Sequence, residues 1–347
     1  MSDSTPKRRL LHRALKWLIV TIGCVVLLVA TLWTVGAIYF DGPAGRGLGN
    51  WILVGLWLGL LLAMLIRFRG ARRKSLAWLA CILLVVIPWS FIRPSNDRQW
   101  KPEWAVTGRI EITGDTCTFH GFRNFDHNRD GTFTERWESR TVNLSNLRGV
   151  DVFLDAFGGD TLAHPVLSFD FGIDGYVALS IETRREIDES FSALGGLYKM
   201  FELQYLFGDE RDFIRVRTNI HHDPVYLYRS TLTAEQSMEL LMRCIDSANG
   251  LFEQPRFYNV ITHNCTTSYR AQRPDTNRAP FDIRLLLNGR VDELMLERGA
   301  LVSDGLSYTE LRAAALINNA ADQAHDDPDF PARIRDNRTG FGPPSDS

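Results

Sequence analysis

Three apolar runs open the chain, and an alternating pattern takes over after them. Residues 17–40 are almost uninterrupted in apolar character, and shorter runs follow at 51–66 and 76–92. A helix needs about 20 such residues to cross a bilayer, and Trp, Arg and Lys at the flanks compensate for a slightly short span. The first run is too long for the core of a signal peptide and no small-residue cleavage site follows it, so it reads as an anchor. Residues 93–104, with Pro94 and Pro102, read as a linker.

From about residue 105 the pattern is that of a globular domain. Residues 106–119 and 150–156 carry strand character, with a tight Asp/Asn/Gly turn at 126–131. That turn begins like a calcium loop, but Trp137 stands where the twelfth-position carboxylate belongs, and a turn between two strands explains it equally. The segment 164–171 alternates, with Leu167, Phe169 and Phe171 on one face and His164, Ser168 and Asp170 on the other. A turn at 172–175 leads to a second alternating run at 176–182, which makes a hairpin. Matching the polar faces sets Ser168 beside Ala178 and brings Glu182 opposite His164 on a solvent-open face.

Helical spacing is expected over 194–207, strands at 213–218 and 225–228, and a helix opened by the capping box Thr233-Ala234-Glu235-Gln236. Short helical pieces at 283–288 and 293–296 and a longer helix at 309–324 complete the domain, which spans 105–325. The Pro- and Asp-rich residues 326–347 read as a flexible tail. The fold class is therefore α+β behind a membrane region at 17–92.

Charge adds the topology. The 347-residue chain carries 39 Lys+Arg against 41 Asp+Glu, a net charge of −2, so no global basic field argues for nucleic acid. Within the membrane region and its N-terminal flank the positive residues are concentrated at 1–16 and in the loop 67–74, with Arg67, Arg69, Arg72, Arg73 and Lys74. Positive-inside bias puts both in the cytoplasm and everything after residue 92 on the other side, which in a bacterial cell is the periplasm. Of the five cysteines, Cys24 and Cys81 lie in the spans. Cys117, Cys244 and Cys265 are an odd number in a disulfide-favouring compartment, so at least one is unpaired within the chain.

Cys265 has the setting of a nucleophile. The run Tyr258, Val260, Ile261 gives way to polar residues, and Asn264 or Thr262 is placed to cap a helix starting at Cys265. Free N–H groups and the helix dipole favour a thiolate in a first turn. A small buried residue or half a disulfide is the alternative. His164 is the expected base and Glu182 the group that orients it, with His263 as a rival base at the rim. Arg184 and Arg185 suit a substrate phosphate or carboxylate, or else salt bridges to Glu186, Asp209 or Glu210. No metal-ligand cluster has usable spacing, and no cofactor is implied.

Ala163-His164, the run 180–186, Asp209-Glu210-Arg211-Asp212, and Tyr258-Asn259 through Asn264-Cys265-Thr266-Thr267 together resemble the Lnb N-terminal periplasmic domain family over about residues 105–335. The resemblance implies a circularly permuted papain-like (NlpC-like) domain in which a histidine strand precedes an Asn-Cys motif. It implies thiol acyl-transfer chemistry, with membrane lipids or lipoproteins as substrates. From their position beside Cys265, Asn264 and His263 are candidate substrate-binding residues. The chain departs from the family in placing three spans before the domain rather than a membrane region after it. A cell-wall peptide amidase with the same dyad, and a non-catalytic membrane-bound scaffold, are the other classes open to such a sequence; the oligomeric state is not specified by it.

The topology is directly testable. A reporter active only in the periplasm, fused after Ser347, is expected to be active. Silence from a stably expressed fusion would overturn the three-span reading.

Overall fold

Apolar side chains with no polar partner bury themselves best on helices that satisfy their own backbone, and the N-terminal runs do this. The computed structural model describes residues 5–45, 47–262, 264–272 and 280–342. Its contacts divide into two units, Met1–Arg93 with Ser192–Met200, and Pro94–Phe191 with Phe201–Ser347.

The first unit contains α1 (Thr5–Asp41), α2 (Leu48–Arg67) and α3 (Ala71–Ser90). Among the described residues these three are long and apolar enough to cross a membrane. Polar groups inside the bundle find partners: Trp57 Nε1 donates to the Cys81 carbonyl at 2.9 Å and Trp78 Nε1 to Thr31 Oγ1 at 3.0 Å. Helix α3 starts ahead of the expected 76, taking Arg72, Arg73 and Lys74 into its first turns.

The second unit is built on one sheet. Its elements are β1 (Arg109–Thr113), β2 (Thr116–Arg123), β3 (Asp126–His127), β4 (Phe133–Thr134), β5 (Trp137–Asn143), β6 (Gly149–Asp155), β7 (His164–Asp170), β8 (Tyr176–Arg184), β9 (Glu202–Gly208), α4 (Glu210–Arg215), β10 (Val225–Arg229), α5 (Ala234–Glu253), α6 (Cys265–Ala271), α7 (Val291–Glu297), α8 (Tyr308–Ala315), α9 (Asn318–Gln323) and α10 (Phe330–Arg333). The sheet order is β1-β2-β9-β8-β7-β6-β10, with β5 also on β2, while β3 and β4 form a separate hairpin. Strands and helices are both present, so the domain is α+β.

Two faces follow from the register. Phe153, Val166, Ser180 and Leu206 lie opposite one another across β6, β7, β8 and β9. That face is covered by α4, α9 and α10 through Phe213, Ile214, Ala321 and Phe330. On the other face Leu154 and Tyr228 pack with Leu285, Val291, Leu294 and Leu311. Helix α5 has its expected capping box, in which Thr233 Oγ1 and the Gln236 side chain satisfy each other's backbone N–H. Its apolar stripe buries Leu241, Cys244, Ile245 and Ala248.

Several sequence expectations need correction. Residues 194–207 are not a helix: a short 3-10 turn at Gly195–Leu197 is followed by β9, whose two faces are both buried in the sheet. Leu197, Met200, Phe201 and Tyr205 happen to recur at helical spacing, and burial on both sides of a strand leaves no alternation to reveal it. Residues 213–218 are not a strand but the end of α4 and the π-helical turn Val216–His221. The signal for a helix was Asp209, whose side chain accepts from Arg211 N as an N-cap. The helix expected over 309–324 breaks at Leu316, which bridges to Tyr226, while Ile317 N donates to the Val225 carbonyl.

The supposed linker belongs to the domain, since Trp100 and Trp104 are buried and Trp100 bridges to Glu186. The supposed flexible tail is structured over residues 326–342. Phe330 and Ile334 are fully buried there, and Arg335 reaches Asp151 at 2.8 Å and Glu210 at 2.7 Å. The calcium alternative at 126–131 fails because Arg215 and Arg211 hold the Asp126 carboxylate. Among the described residues no cluster suited to a metal ion is found.

The face carrying Ser168 is not open to solvent either. Ser168 is fully buried and donates to Glu210 Oε2 at 2.5 Å, and Glu210 is in turn paired with Arg335. Removing the cation would leave buried Glu210 without a cationic partner and Asp151 with Arg229 alone. Arg335→Met is expected to destabilise the domain by about 3–5 kcal/mol, read from chemical denaturation. A loss below about 1 kcal/mol would mean that the network adds no more than an exposed ion pair does.

Candidate active site

The hairpin of β7 and β8 supplies half of the site. Gly172 and Gly175 both take positive φ in the turn, which frees the strands to pair with Ser168 opposite Ala178. The ladder ends at Val166 and Ser180, so His164 and Glu182 project beyond its last rung. His164 Nε2 stands 3.3 Å from Glu182 Oε1. Ser180 joins them: its Oγ accepts from His164 Nε2 at 2.6 Å and donates to Glu182 Oε1 at 2.6 Å. That arrangement uses Nε2 as the donor and leaves Nδ1 for another partner.

Helix α6 supplies the other half. Asn264 is its N-cap, with Oδ1 accepting from Thr267 N at 2.7 Å and Thr267 Oγ1 accepting from Asn264 N at 3.0 Å. Cys265 is therefore the first helical residue, where the backbone N–H has no intrahelical acceptor. Its side chain is buried, and the sulfur lies near enough to the His164 ring to help raise it. First residue of β7 and first residue of α6 thus meet at one end of the sheet.

Electrostatics bind the cluster together. Burial opposes a charge on His164, but the Glu182 carboxylate and the Cys265 sulfur outweigh it and push the imidazole up to about 10. Burial likewise opposes the Glu182 carboxylate, yet His164, Arg217 and Ser180 hold it well below the ordinary range. Arg217 spans two acids, with Nη2 3.1 Å from Glu182 Oε1 and Nε 3.2 Å from Asp155 Oδ2. Asp155 is the backbone partner of His164 across β6 and β7.

Not every expected site residue joins this group. Asn264 is not free for a substrate: Nδ2 donates to the Val260 carbonyl at 2.8 Å and Oδ1 caps the helix. Arg184 is a buried tether, donating to the Trp104 carbonyl at 2.8 Å, the Ala105 carbonyl at 2.8 Å and Thr107 Oγ1 at 2.7 Å, and lying over the Trp100 ring. Burial pushes its guanidinium down to about 10. Arg185 stacks on Trp104, 3.9 Å from the ring centre. Neither makes the alternative salt bridges, because Glu186 pairs with Arg98, Asp209 with Arg140 and Glu210 with Arg335. His263 lies outside the described residues.

The sequence reading missed Arg217, Asp155, Thr266 and Asn288. Arg217 fell in a segment read as a strand. Asn288 Nδ2 donates to Thr266 Oγ1 at 2.7 Å, and its Oδ1 accepts from Ala163 N at 2.8 Å. No pattern in the sequence joins those three positions.

Residues 133–289 match the model of the Lnb N-terminal periplasmic domain. With the three apolar helices, the match marks a membrane protein with a periplasmic domain. No curated protein and no solved structure matches the chain. The matched segment includes His164, Ser180, Glu182, Arg217, Cys265 and Asn288.

Because the folded pKa of His164 is raised, its contribution to stability is complete below about pH 6.5 and is lost as pH climbs through about 10. Glu182, depressed, contributes above the ordinary carboxylate range and loses that contribution as pH falls through its folded value. Glu182→Gln removes the main influence that raises His164. The fall in melting temperature between pH 6.5 and 10 is therefore expected to flatten in Glu182→Gln relative to the unmodified protein. Parallel pH curves for the two would show that the carboxylate does not act on the ring.

Proposed function

We propose that the chain is a membrane-anchored cysteine-dependent acyl-transfer enzyme of the inner membrane, with its catalytic domain in the periplasm. In this reading the domain is a circularly permuted papain-like (NlpC-like) fold, and a thioester forms on Cys265. The observation that carries it is the placement of Cys265, in the first turn of α6, beside a His164 ring that Ser180 and Glu182 hold through Nε2. Nucleophile, base and orienting acid is the arrangement that thiol acyl transfer requires.

In the proposed reaction the Cys265 proton rests on His164, as the raised imidazole favours, and the thiolate sulfur attacks a carbonyl carbon. The carbonyl π pair moves to oxygen, and the Cys265 N–H is placed to stabilise it. On collapse the C–O or C–N bond breaks and the leaving group takes the proton from His164. Water or an amine then releases the acyl group in the same way, with His164 as base. Glu182 keeps the imidazolium favourable throughout.

A lipid or lipoprotein substrate is favoured by the space beside the nucleophile. A cavity of about 150 Å³ runs between the sheet and α5, α6 and α7. Val150, Val152, Leu167, Leu240, Leu294 and Met295 contribute its apolar walls, and Thr266, next to Cys265, lines it as well. Apolar walls suit an acyl chain and offer a cell-wall peptide few polar partners.

An alkyne-tagged long-chain acyl thioester is the probe that tests this reading. Purified protein is expected to carry the acyl group on Cys265, released by neutral hydroxylamine, with none on Cys265→Ser. His164→Ala is expected to slow labelling by about 10²–10⁴, and Glu182→Gln by about 10²-fold or more. Cleavage of a cell-wall peptide without acyl labelling would favour an amidase. Absence of both reactions in folded protein would leave a scaffold.

A further inference from the structure

Asn288 stands beside the sulfur in a way that its position in the sequence does not suggest. It opens the 3-10 turn Asn288–Arg290 ahead of α7 and is buried. Its Oδ1 accepts from the Ala163 backbone, which can only donate. The amide orientation is therefore fixed, and the NH₂ group faces α6. One of its hydrogens is taken by Thr266 Oγ1 at 2.7 Å, and the same nitrogen lies 3.9 Å from Cys265 Sγ. The backbone behind it is seated just as firmly. A Cβ on Gly289 would come within 2.2 Å of the Asp160 carbonyl carbon, so the turn rests directly on the loop that leads into β7. Gly289 N also donates to the Thr161 carbonyl at 3.3 Å.

A neutral N–H donor so held, next to a sulfur and to the unpaired N–H of a helix's first residue, matches what an acyl oxyanion needs. We propose that the Asn288 side-chain amide is the second donor of the oxyanion hole, acting with the Cys265 backbone N–H. The proposal rests on the acyl-transfer reading above. When Sγ bonds to the carbonyl carbon, the C=O π pair becomes a lone pair on oxygen, one bond beyond the sulfur. The second amide hydrogen of Asn288 donates to that oxygen. As the tetrahedral adduct collapses, the pair returns to the C–O bond, the bond to the leaving group breaks, and His164 delivers its proton there. The tie from Asn288 to Ala163, the neighbour of His164, sets donor, base and nucleophile in one frame.

A clamp that merely joins Ala163 to Thr266 would also be hurt by mutation, so the test separates nucleophilicity from oxyanion stabilisation. Two reactions at Cys265 are followed by mass spectrometry in the full-length protein in detergent. Iodoacetamide alkylates the sulfur by displacing iodide and creates no oxyanion, whereas p-nitrophenyl octanoate acylates it through one. In Asn288→Ala the ratio of acylation to alkylation rate is expected to fall about 10²–10³-fold. Asn288→Asp keeps the oxygen that Ala163 needs, loses the donor and adds a negative charge, so it serves where the alanine variant misfolds, and at least the same fall is expected. A ratio unchanged in either folded variant, whether both rates drop together or neither drops, would overturn the proposal and leave Asn288 a positioning residue. Unmodified protein that is alkylated but never acylated would instead defeat the acyl-transfer reading, and this proposal with it.

Discussion

The register of β7 against β8 is the constraint on which the site depends. A side chain's face in a strand is fixed by parity, so a slip of one residue would turn His164, Ser180 and Glu182 away from each other together. The observed pairing of Ser168 with Ala178 puts all three on the same face, Ser180 on the last rung of the ladder and the other two just past it. That face is buried, and its acids need cations. Arg217 serves Glu182 and Asp155, Arg335 serves Asp151 and Glu210, and Arg123 with His127 serves Asp212. These arginines arrive from the π-helical turn, the C-terminal segment and β2. The hairpin register therefore dictates the ionic partners of segments distant from it in sequence.

Those partners also decide which protonation state the site holds. An imidazole withdrawn from water loses its proton readily, and a carboxylate withdrawn from water gains one. Side by side, His164 and Glu182 reverse both tendencies, at the desolvation cost of placing two charges in the interior. Arg217 shares the Glu182 oxygen that faces the ring, so it strengthens the carboxylate while competing for it. Ser180 eases that competition by relaying the contact through its hydroxyl.

The parts legible in the sequence were those governed by local periodicity or capping. Alternation on both sides of the 172–175 turn gave the hairpin and the pairing of Glu182 with His164. The Asn264 cap placed Cys265 at a helix start, and the apolar runs gave the three helices. The parts that were illegible depend on contacts between distant segments. Strand β9 is buried on both faces and so shows no alternation. Arg217 was hidden by a run of β-branched residues that the Asp209 cap turns into a helix. Phe330, Ile334 and Arg335 were masked by the average composition of a Pro- and Asp-rich tail. Arg184 was read as a salt-bridge partner or a substrate ligand because its charge was visible and its carbonyl partners at Trp104 and Ala105 were not.

The sheet divides the proposed chemistry between its faces. His164, Ser180, Glu182 and Arg217 belong to the ionic face, where fixed charges and hydrogen bonds stabilise proton transfer. The apolar cavity lined by Val150, Val152 and Leu167 belongs to the opposite face, beneath α6. Helix α6 begins at the sheet end where these environments meet, and Cys265 is its first residue. An acyl chain lying in the cavity would therefore present its carbonyl at the boundary, with the chain in an apolar medium and the reacting atoms among oriented dipoles. The position of one helix start relative to one strand end is what joins the two environments. That position is held by Asn288, which bonds to the strand entry at Ala163 and to the helix at Thr266.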